Sequence, residues 1–320
     1  MLARLQQFTT LGLIAAAIGW AVVFALRGQP ALAGVGALLI VFGYALFLGL
    51  EFVLLARSRG GDPAPRASAG QMLRAWWGEV CYAPCVFCWR QPFRATAEPD
   101  CTGPQSLGRC GVVFVHGFVC NRALWNPWMA RLRKQGVPFS AVNLEPVFGS
   151  IDDYPPVIEA AVQCIESATG LAPVIVAHSM GGLAVRAWLA AFAADARVKR
   201  VITIGTPHGG TWLARFALTP NGLQMRQQSP WLRQMAAQET SQRRARFTCY
   251  YGHCDNIVFP ASTAALIGAD NRHLEATAHV HMAGVETIFE EVLQWLSRPG
   301  DQVAAGHAAA AQARASAAPH

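Results

Sequence analysis

The sequence predicts an α/β fold, in which a mostly parallel sheet with helices on both faces is preceded by a two-helix transmembrane hairpin. Two observations predict this fold class. Between residues 108 and 297, short apolar runs alternate with helical patterns, as is typical of a parallel sheet that is covered on both faces. Before that region, the chain contains two long runs without a charged residue, each close to the length that crosses a bilayer.

The composition agrees with a chain that is not wholly soluble. Of the 320 residues, 53% are hydrophobic and only 14% are charged, against about 25% charged in a typical soluble domain. These values exclude a disordered chain, and 9 cysteines are too few for a disulfide scaffold. The formal net charge is +7, but no basic stripe with interleaved aromatic residues is present, so we expect no nucleic-acid partner.

Residues 1–56 predict two transmembrane helices. Residues 9–26 and 31–50 carry no charge, and a helix needs about 20 apolar residues to cross the hydrocarbon core. The glycine and proline of residues 27–30 favour a tight turn between the two runs. Two alternatives are a signal peptide that is cleaved after residues 31–33, where Ala-Leu-Ala resembles a cleavage site, and the buried hairpin of a soluble protein. The second run argues against cleavage, and the absence of a polar face argues against burial in a soluble protein.

Arginines predict how the hairpin is oriented. The turn contains only Arg27, whereas more basic residues flank the outer ends of the two spans. Those flanking residues are Arg4, Arg57, Arg59, Arg66 and Arg74. By the positive-inside rule, both outer ends lie in the cytoplasm. We therefore expect an anchor in a bacterial inner membrane, with the rest of the chain in the cytoplasm.

Residues 57–107 predict a linker and then a segment rich in cysteine and tryptophan. Residues 57–70 are rich in Gly, Pro, Ala and Ser, as linkers are. Cys81, Cys85 and Cys88 follow in C-x3-C-x2-C spacing, but no fourth ligand stands at the spacing of a known metal site, so we expect free thiols and no metal. The aromatic residues nearby are expected at the membrane interface or against the next domain: Trp76, Trp77, Phe87 and Trp89.

The alternating region predicts six strands and four main helices. The apolar runs cover residues 111–115, 139–144, 173–177, 198–204, 247–251 and, more weakly, 273–278. The helical patterns cover residues 125–135, 158–168, 181–194 and 286–296. Such a region of about 190 residues is long enough to form a domain of its own.

Ser179 stands between the third apolar run, which ends at residue 177, and the third of these helices, which begins at residue 181. Small residues flank it two positions away on either side, at Ala177 and Gly181, because a sharp strand-to-helix turn leaves little room for side chains. Such a turn raises the serine hydroxyl above the sheet, and the helix N-terminus directs backbone N–H groups at an oxyanion formed beside it. The pattern predicts a nucleophilic serine.

Three motifs in this region resemble those of the α/β-hydrolase superfamily, in its lipase and esterase branch. Residues 177–182, AHSMGG, resemble the G-x-S-x-G elbow, with alanine in place of the first glycine. Residues 113–118 resemble a strand and the H-G-aromatic oxyanion loop, and residues 205–211, GTPHGGT, resemble a stretch common in bacterial lipases. The resemblance covers residues 108–297. It implies a serine nucleophile with partners in the chain order Ser, Asp, His, and it implies no metal or organic cofactor.

Asp255 is the predicted acid, because residues 255–260 match the family's D-x-apolar-V-x-P turn after the fifth strand. Asp270 is expected to end a helix or cap a turn. His279 is the predicted base, since family members favour a small residue directly before the histidine, and His281 is the alternative.

The resemblance also implies an oxyanion hole made by the backbone N–H groups of Phe118 and Met180. Residues 211–246 predict a cap-like insertion with many apolar side chains, which favours an apolar acyl chain. We therefore expect a membrane-anchored serine hydrolase that cleaves carboxylic esters, with a lipid or ester substrate. An acyltransferase with the same triad and a non-catalytic membrane interaction module are the alternatives. Residues 298–320 predict a disordered tail.

Overall fold

A computed structural model describes residues 1–58 and 61–298 of the chain. The predicted disordered tail, apart from its first residue, lies outside the described residues. Within them, six strands form one sheet in which every neighbouring pair is parallel. The strands are β1 Val112–Val115, β2 Phe139–Ala141, β3 Val174–His178, β4 Arg200–Ile204, β5 Phe247–Gly252 and β6 Asp270–Leu274, in the order β2-β1-β3-β4-β5-β6. The predicted parallel α/β fold is confirmed.

The helices lie before the sheet, between its strands and after them. They are α1 Leu2–Leu26, α2 Pro30–Arg57, α3 Ala69–Pro84, α4 Gln91–Phe93, α5 Asn126–Lys134, α6 Pro155–Thr169, α7 Met180–Ala191, α8 Pro220–Gln224, α9 Pro230–Gln238, α10 Ser241–Arg244 and α11 Glu286–Ser297. The four helices predicted after residue 108 are α5, α6, α7 and α11, each within a few residues of its expected bounds.

Strand residues alternate between two hydrophobic clusters, one on each face of the sheet. Val113 and Ile175 pack in the cluster that includes residues of α6 and α7, whereas Val112 and Val174 pack in the cluster that includes residues of α5 and α11. Because successive side chains of a strand point to opposite faces, a strand buried on both sides is apolar throughout. This accounts for the short uninterrupted runs from which β1, β3 and β4 were predicted.

The bounds predicted for the last strand are wrong. A strand was predicted at residues 273–278, but β6 comprises Asp270–Leu274 and pairs with β5 from Thr248 to Gly252. It lies at the edge of the sheet, and its first three residues are exposed. An edge strand that faces solvent needs no apolar run, so hydrophobicity did not mark it. Asp270 therefore begins a strand, contrary to the expectation that it ends a helix or caps a turn.

Helices α1 and α2 are long and apolar enough to cross a membrane, as predicted for a two-helix hairpin. Only 6% and 17% of the residues in their most apolar stretches are buried, which disfavours the alternative of a buried soluble hairpin. Most of the large apolar side chains between Phe8 and Leu50 are exposed. The two helices fit a membrane anchor.

The segment that follows the hairpin is mainly helical. Ser68 caps α3 by accepting a hydrogen bond from the N–H of Gln71, whose side chain accepts one from the N–H of Ser68 in return. A π-helical turn at Cys85–Arg90 connects α3 to α4. Cys81, Cys85 and Cys88 are free and exposed.

Helices α2 and α3 pack against the sheet domain through a third hydrophobic cluster. Phe52 and Leu55 of α2 and Ala75 of α3 are buried there with Cys254, Phe259 and Ala278 of the sheet domain. Of the aromatic residues expected at the interface or against the next domain, Trp76 packs on this cluster and Phe87 on a sheet cluster, while Trp77 and Trp89 are exposed. The anchor and the sheet domain thus share a core.

Candidate active site

The strand order reverses direction between β1 and β3, and the predicted functional residues gather at this point. Strand β2 lies on one side of β1, while β3 to β6 follow on the other side. In open α/β sheets, ligands bind outside the carboxyl ends of the strands at such a switch point. The segment His116-Gly117-Phe118 leaves β1 there, and Ser179 follows β3.

Ser179 occupies a strained turn between β3 and α7. Its φ of 55° and ψ of −131° lie in a region that residues with a side chain rarely adopt. Its N–H donates to the carbonyl of Ile204 at 2.8 Å, which fixes the turn to the end of β4. A Cβ at Gly181 would lie 2.5 Å from the carbonyl oxygen of His116 and 2.8 Å from that of Val115. The second small position of the elbow is therefore required by the close approach of the β1 backbone.

The loop after β1 is held by a buried histidine. The Nδ1 of His116 lies 2.8 Å from the carbonyl oxygen of Gly117, and its Nε2 accepts the N–H of Leu144 at 3.0 Å. These partners require a neutral ring with the proton on Nδ1. Burial lowers the pKa of His116 to about 4, which agrees with that form. Phe118, one of the two predicted oxyanion donors, follows directly in this loop.

Met180, the other predicted donor, is the first residue of α7. The first N–H groups of a helix have no acceptor within the helix, and the helix dipole favours negative charge beside them. The two predicted donors therefore follow β1 and β3, the two neighbouring strands between which the strand order reverses.

Asp255 and His279 form a buried pair. The Nδ1 of His279 lies 2.9 Å from Oδ2 of Asp255, and the exposed fractions of the two side chains are 5% and 1%. The other carboxylate oxygen, Oδ1, accepts the N–H groups of Ile257 and Val258 at 2.9 and 2.8 Å. The carboxylate is fixed by two backbone donors, so it holds the imidazole in one orientation and leaves Nε2 available.

The charge around His279 favours its protonated form. Burial lowers the pKa of His279, but the charge of Asp255 and its hydrogen bond raise it, and Glu79 and Glu51 raise it further. The net direction is upward. An imidazole in this setting is a stronger proton acceptor than one in water.

His178 connects the serine turn to the segment of the predicted base. Its Nε2 lies 3.0 Å from the carbonyl oxygen of His279, and the two rings lie 4.7 Å apart between centroids. Burial lowers the pKa of His178 to about 3, so the ring is neutral and donates from Nε2. His178 directly precedes Ser179, and this contact brings the predicted nucleophile and base to the same place.

His281 faces a different part of the molecule. Its ring lies 5.4 Å from that of Tyr82 in α3, and a Cβ at Gly78 would lie 2.6 Å from its Nδ1. That nitrogen has no hydrogen-bond partner among the described residues. The structure thus brings Asp255 together with His279 and places His281 against α3.

Three polar residues near this pair were not singled out from the sequence. Asn256 accepts the N–H of His279, Glu51 of α2 accepts from Asn256, and Glu79 of α3 accepts the N–H groups of Val280 and His281. The available signal was weak. Glu51 directly follows the uncharged run of residues 31–50, and a lone acid among apolar residues often has a specific partner.

The comparisons with known proteins concern the sheet domain. Residues 112–318, more than half of the chain, match the model of the alpha/beta hydrolase family. No curated protein matches the sequence at a significant level.

Two solved lipases share the fold. The mature lipase BlEst2 of Bacillus licheniformis superposes with a TM-score of 0.52 at 19% identity, over 59% of this chain and 92% of that one. Lipase B of Aspergillus fumigatus superposes with a TM-score of 0.53 at 19% identity, over 61% of this chain and 54% of that one. This chain therefore spans about half the length of the second lipase. With a serine turn at the switch point, a parallel sheet and a family model that covers most of the sheet domain, the chain belongs to the alpha/beta hydrolase family.

Proposed function

We propose that the protein is a membrane-anchored serine hydrolase that cleaves carboxylic esters through an acyl-enzyme. The observation that carries the proposal is the buried Asp255–His279 pair, with an Nδ1–Oδ2 distance of 2.9 Å, beside the strained turn of Ser179. A nucleophile, a base and a group that orients the base are the parts that acyl transfer to water requires.

In the proposed mechanism, Oγ of Ser179 attacks the ester carbonyl carbon while Nε2 of His279 removes its proton. Asp255 orients the imidazole and stabilises the positive charge that it gains. The N–H groups of Phe118 and Met180 hold the tetrahedral oxyanion, and each such donor contributes about 100- to 1,000-fold to the rate. His279 then gives its proton to the departing alcohol. Water attacks the acyl-enzyme in the same manner and releases the acid and free Ser179.

An apolar surface beside the loop after β1 supports a lipid-like substrate. Phe118 and Phe148 pack with ring centroids 5.7 Å apart, and Phe148 is exposed. The 211–246 segment contributes Phe216 and Leu218, which are 67% and 90% exposed. This segment contacts the loop that contains Phe148, because the N–H of Asn221 donates a hydrogen bond to the carbonyl of Gly149. Exposed apolar patches of this kind are typical of sites that meet a membrane or an apolar ligand.

The hairpin and the arginines at its outer ends support the proposed location in a bacterial inner membrane, with the hydrolase domain on the cytoplasmic side. The N-terminus of α1 is close to the loop that contains Phe148, because the terminal amine lies 3.4 Å from Oε1 of Glu145 in the same loop. A bilayer that contains the hairpin therefore lies next to the proposed entrance.

A fluorophosphonate probe tests the catalytic claim on the full chain in detergent or vesicles. We expect labelling that is lost in Ser179→Ala, because the probe reacts with an activated serine. Labelling that persists in Ser179→Ala, or is absent from the unsubstituted protein, would refute the proposal and favour the non-catalytic alternative.

A series of p-nitrophenyl esters of increasing acyl length tests the substrate class. We expect kcat/KM to rise from short to medium and long chains. A preference for acetate would contradict the lipid-like substrate, and products formed with added alcohols in preference to the free acid would indicate acyl transfer.

A further inference from the structure

Two buried carboxylates near the proposed active site belong to helices that precede the part matched by the family model. Glu51 lies in α2 and Glu79 in α3, whereas the match begins at residue 112. Their exposed fractions are 8% and 1%. Burial of a carboxylate is costly unless specific partners compensate it, so the partners of these two side chains indicate what they do.

Glu51 reaches the base through one amide. Oε2 of Glu51 accepts a hydrogen bond from Nδ2 of Asn256 at 2.6 Å, and Oδ1 of Asn256 accepts the N–H of His279 at 3.1 Å. A backbone N–H only donates and a carboxylate accepts, so this chain fixes the orientation of the Asn256 amide. Asn256 is itself the neighbour of Asp255. The hydrogen-bonded link from Glu51 through Asn256 therefore helps to hold both Asp255 and His279 in position.

Glu79 holds the other side of the base. Its Oε1 accepts the N–H of Val280 at 3.0 Å and its Oε2 accepts that of His281 at 2.9 Å. These two residues follow His279, so both carboxylate oxygens clamp the backbone of the base segment. Burial raises the pKa of Glu79, and the net direction is upward although the two N–H bonds oppose it; because both of its oxygens accept a backbone N–H, the observed geometry is that of the ionised carboxylate.

We propose that Glu51 and Glu79 are positioning residues, which fix the His279 segment against Asp255 and so make catalysis depend on the docking of α2 and α3. The proposal rests on the proposed serine hydrolase activity. It assigns to the membrane-associated helices a part in the chemistry, in addition to their part in anchoring. Placement of the base matters because an error of about 1 Å in a catalytic group can cost about 100-fold in rate.

The two carboxylates also set the electrostatic environment of the base. The titratable groups that face His279 are Asp255, Glu79, Glu51 and the ring of His178. His178 stays neutral because burial lowers its pKa to about 3. Removal of the charge of Glu79 therefore leaves His279 with fewer anions nearby and lowers the pKa of His279.

Glu79→Gln in the full chain tests the proposal with a soluble ester. The glutamine keeps one acceptor oxygen but opposes the second backbone N–H with its own N–H2 group. We expect kcat to fall about tenfold with KM within about twofold, since Glu79 positions the base and binds no substrate. We also expect the acidic limb of the kcat/KM profile to move to lower pH. A merely structural role would lower the amount of folded protein and leave that limb in place.

Glu159→Gln is the matched control. Glu159 is as buried as Glu51 and holds Trp188 and Arg197, on the face of the sheet covered by α6 and α7. The Glu159→Gln variant is expected to have a lower melting temperature but an unchanged acidic limb in its kcat/KM profile. If Glu79→Gln does not fold, Glu51→Gln carries the kcat part of the test, because a glutamine amide donates as well as accepts and no longer fixes the orientation of the Asn256 amide, while the clamp stays intact.

The outcomes separate this proposal from the proposed function. If Ser179-dependent labelling is present but kcat and the acidic limb are unchanged in both glutamine variants, or change equally in Glu159→Gln, the positioning role is refuted and the hydrolase stands. If the unsubstituted protein shows no Ser179-dependent labelling, the proposed function itself fails.

Discussion

The hydrolase domain and the N-terminal helices contribute to the candidate site in different ways. In the domain, the functional groups stand directly after strands β1, β3 and β5 or in the segment after β6, and short motifs mark them. In the N-terminal helices, Glu51 and Glu79 reach the same site through partners 205 and 201 residues away in the chain. Local turns that the chemistry requires leave a signature in sequence, whereas long-range contacts do not.

The largest expected effect is that of a substitution in the hydrolase domain. His279→Ala should reduce kcat/KM by about 1,000-fold or more, because the base of a triad acts as a unit with the serine. His281→Ala, the matched variant, should stay within a few-fold, since its ring packs on α3. Steady-state kinetics with one soluble ester compares the two. A greater residual activity in His279→Ala than in His281→Ala would reverse the assignment of the base.

Adding a methyl group should lower the free energy of unfolding in the hydrolase domain more than in helix α1. Gly181→Ala would place a Cβ 2.5 Å from a backbone oxygen that has no room to move, so we expect the free energy of unfolding to fall by about 1–3 kcal/mol. Gly12→Ala in α1 is the control, because within the described residues no atom outside the neighbouring helix backbone lies within 4 Å of the added carbon. Denaturation midpoints measure both. Equal losses in the two variants would contradict the tight contact at the elbow.

The pH profile involves both regions. The protonated form of His279 is unable to accept the serine proton, and the raised pKa extends that form above the ordinary value of 6.5. Activity should therefore fall about tenfold per pH unit below a midpoint that lies above pH 6.5. The measurement is kcat/KM of the full chain against pH. A midpoint below 6.5 would show that burial outweighs the carboxylates.

The smallest effect is expected at the apolar surface. Leu218→Asn should lower the rate on esters in vesicles about fivefold, because about 1 kcal/mol of apolar contact with lipid is lost, and it should leave the rate on a soluble ester unchanged. Ile267→Asn is the control, since Ile267 is equally exposed but precedes β6 at the opposite edge of the sheet. The same loss in both variants would argue against a specific lipid-facing surface.

Sequence alone predicted most of the fold and the residues that the structure places together at the candidate site. Apolar runs marked β1, β3, β4 and β5 because these strands are buried. The edge strand β6 was placed too late in the chain because its first three residues are exposed and carry no apolar signal. Ser179 and Asp255 were predicted from motifs whose small or fixed neighbours follow from the geometry of sharp turns.

The choice between His279 and His281 was harder to make from sequence, because two histidines that are separated by a single residue share the same local signals. Their separation in space comes from α3, where Gly78 and Tyr82 receive the ring of His281. Glu79, which lies between them in α3, accepts the backbone N–H of His281. No sequence pattern within the sheet domain indicates that a helix about 200 residues earlier in the chain packs against this segment.

The position of Glu51 along α2 has a consequence for the kinetics of a lipid substrate. It is the first charged residue after the uncharged run 31–50, whose 20 residues match the thickness of the hydrocarbon core. Under the proposed membrane anchoring, the loop that Glu51 contacts at Asn256 therefore lies at the depth of the lipid headgroups. A substrate at this depth diffuses to the enzyme in two dimensions, so its rate of conversion follows the mole fraction of that lipid in the bilayer. Added buffer leaves that fraction unchanged, whereas added inert phospholipid lowers it.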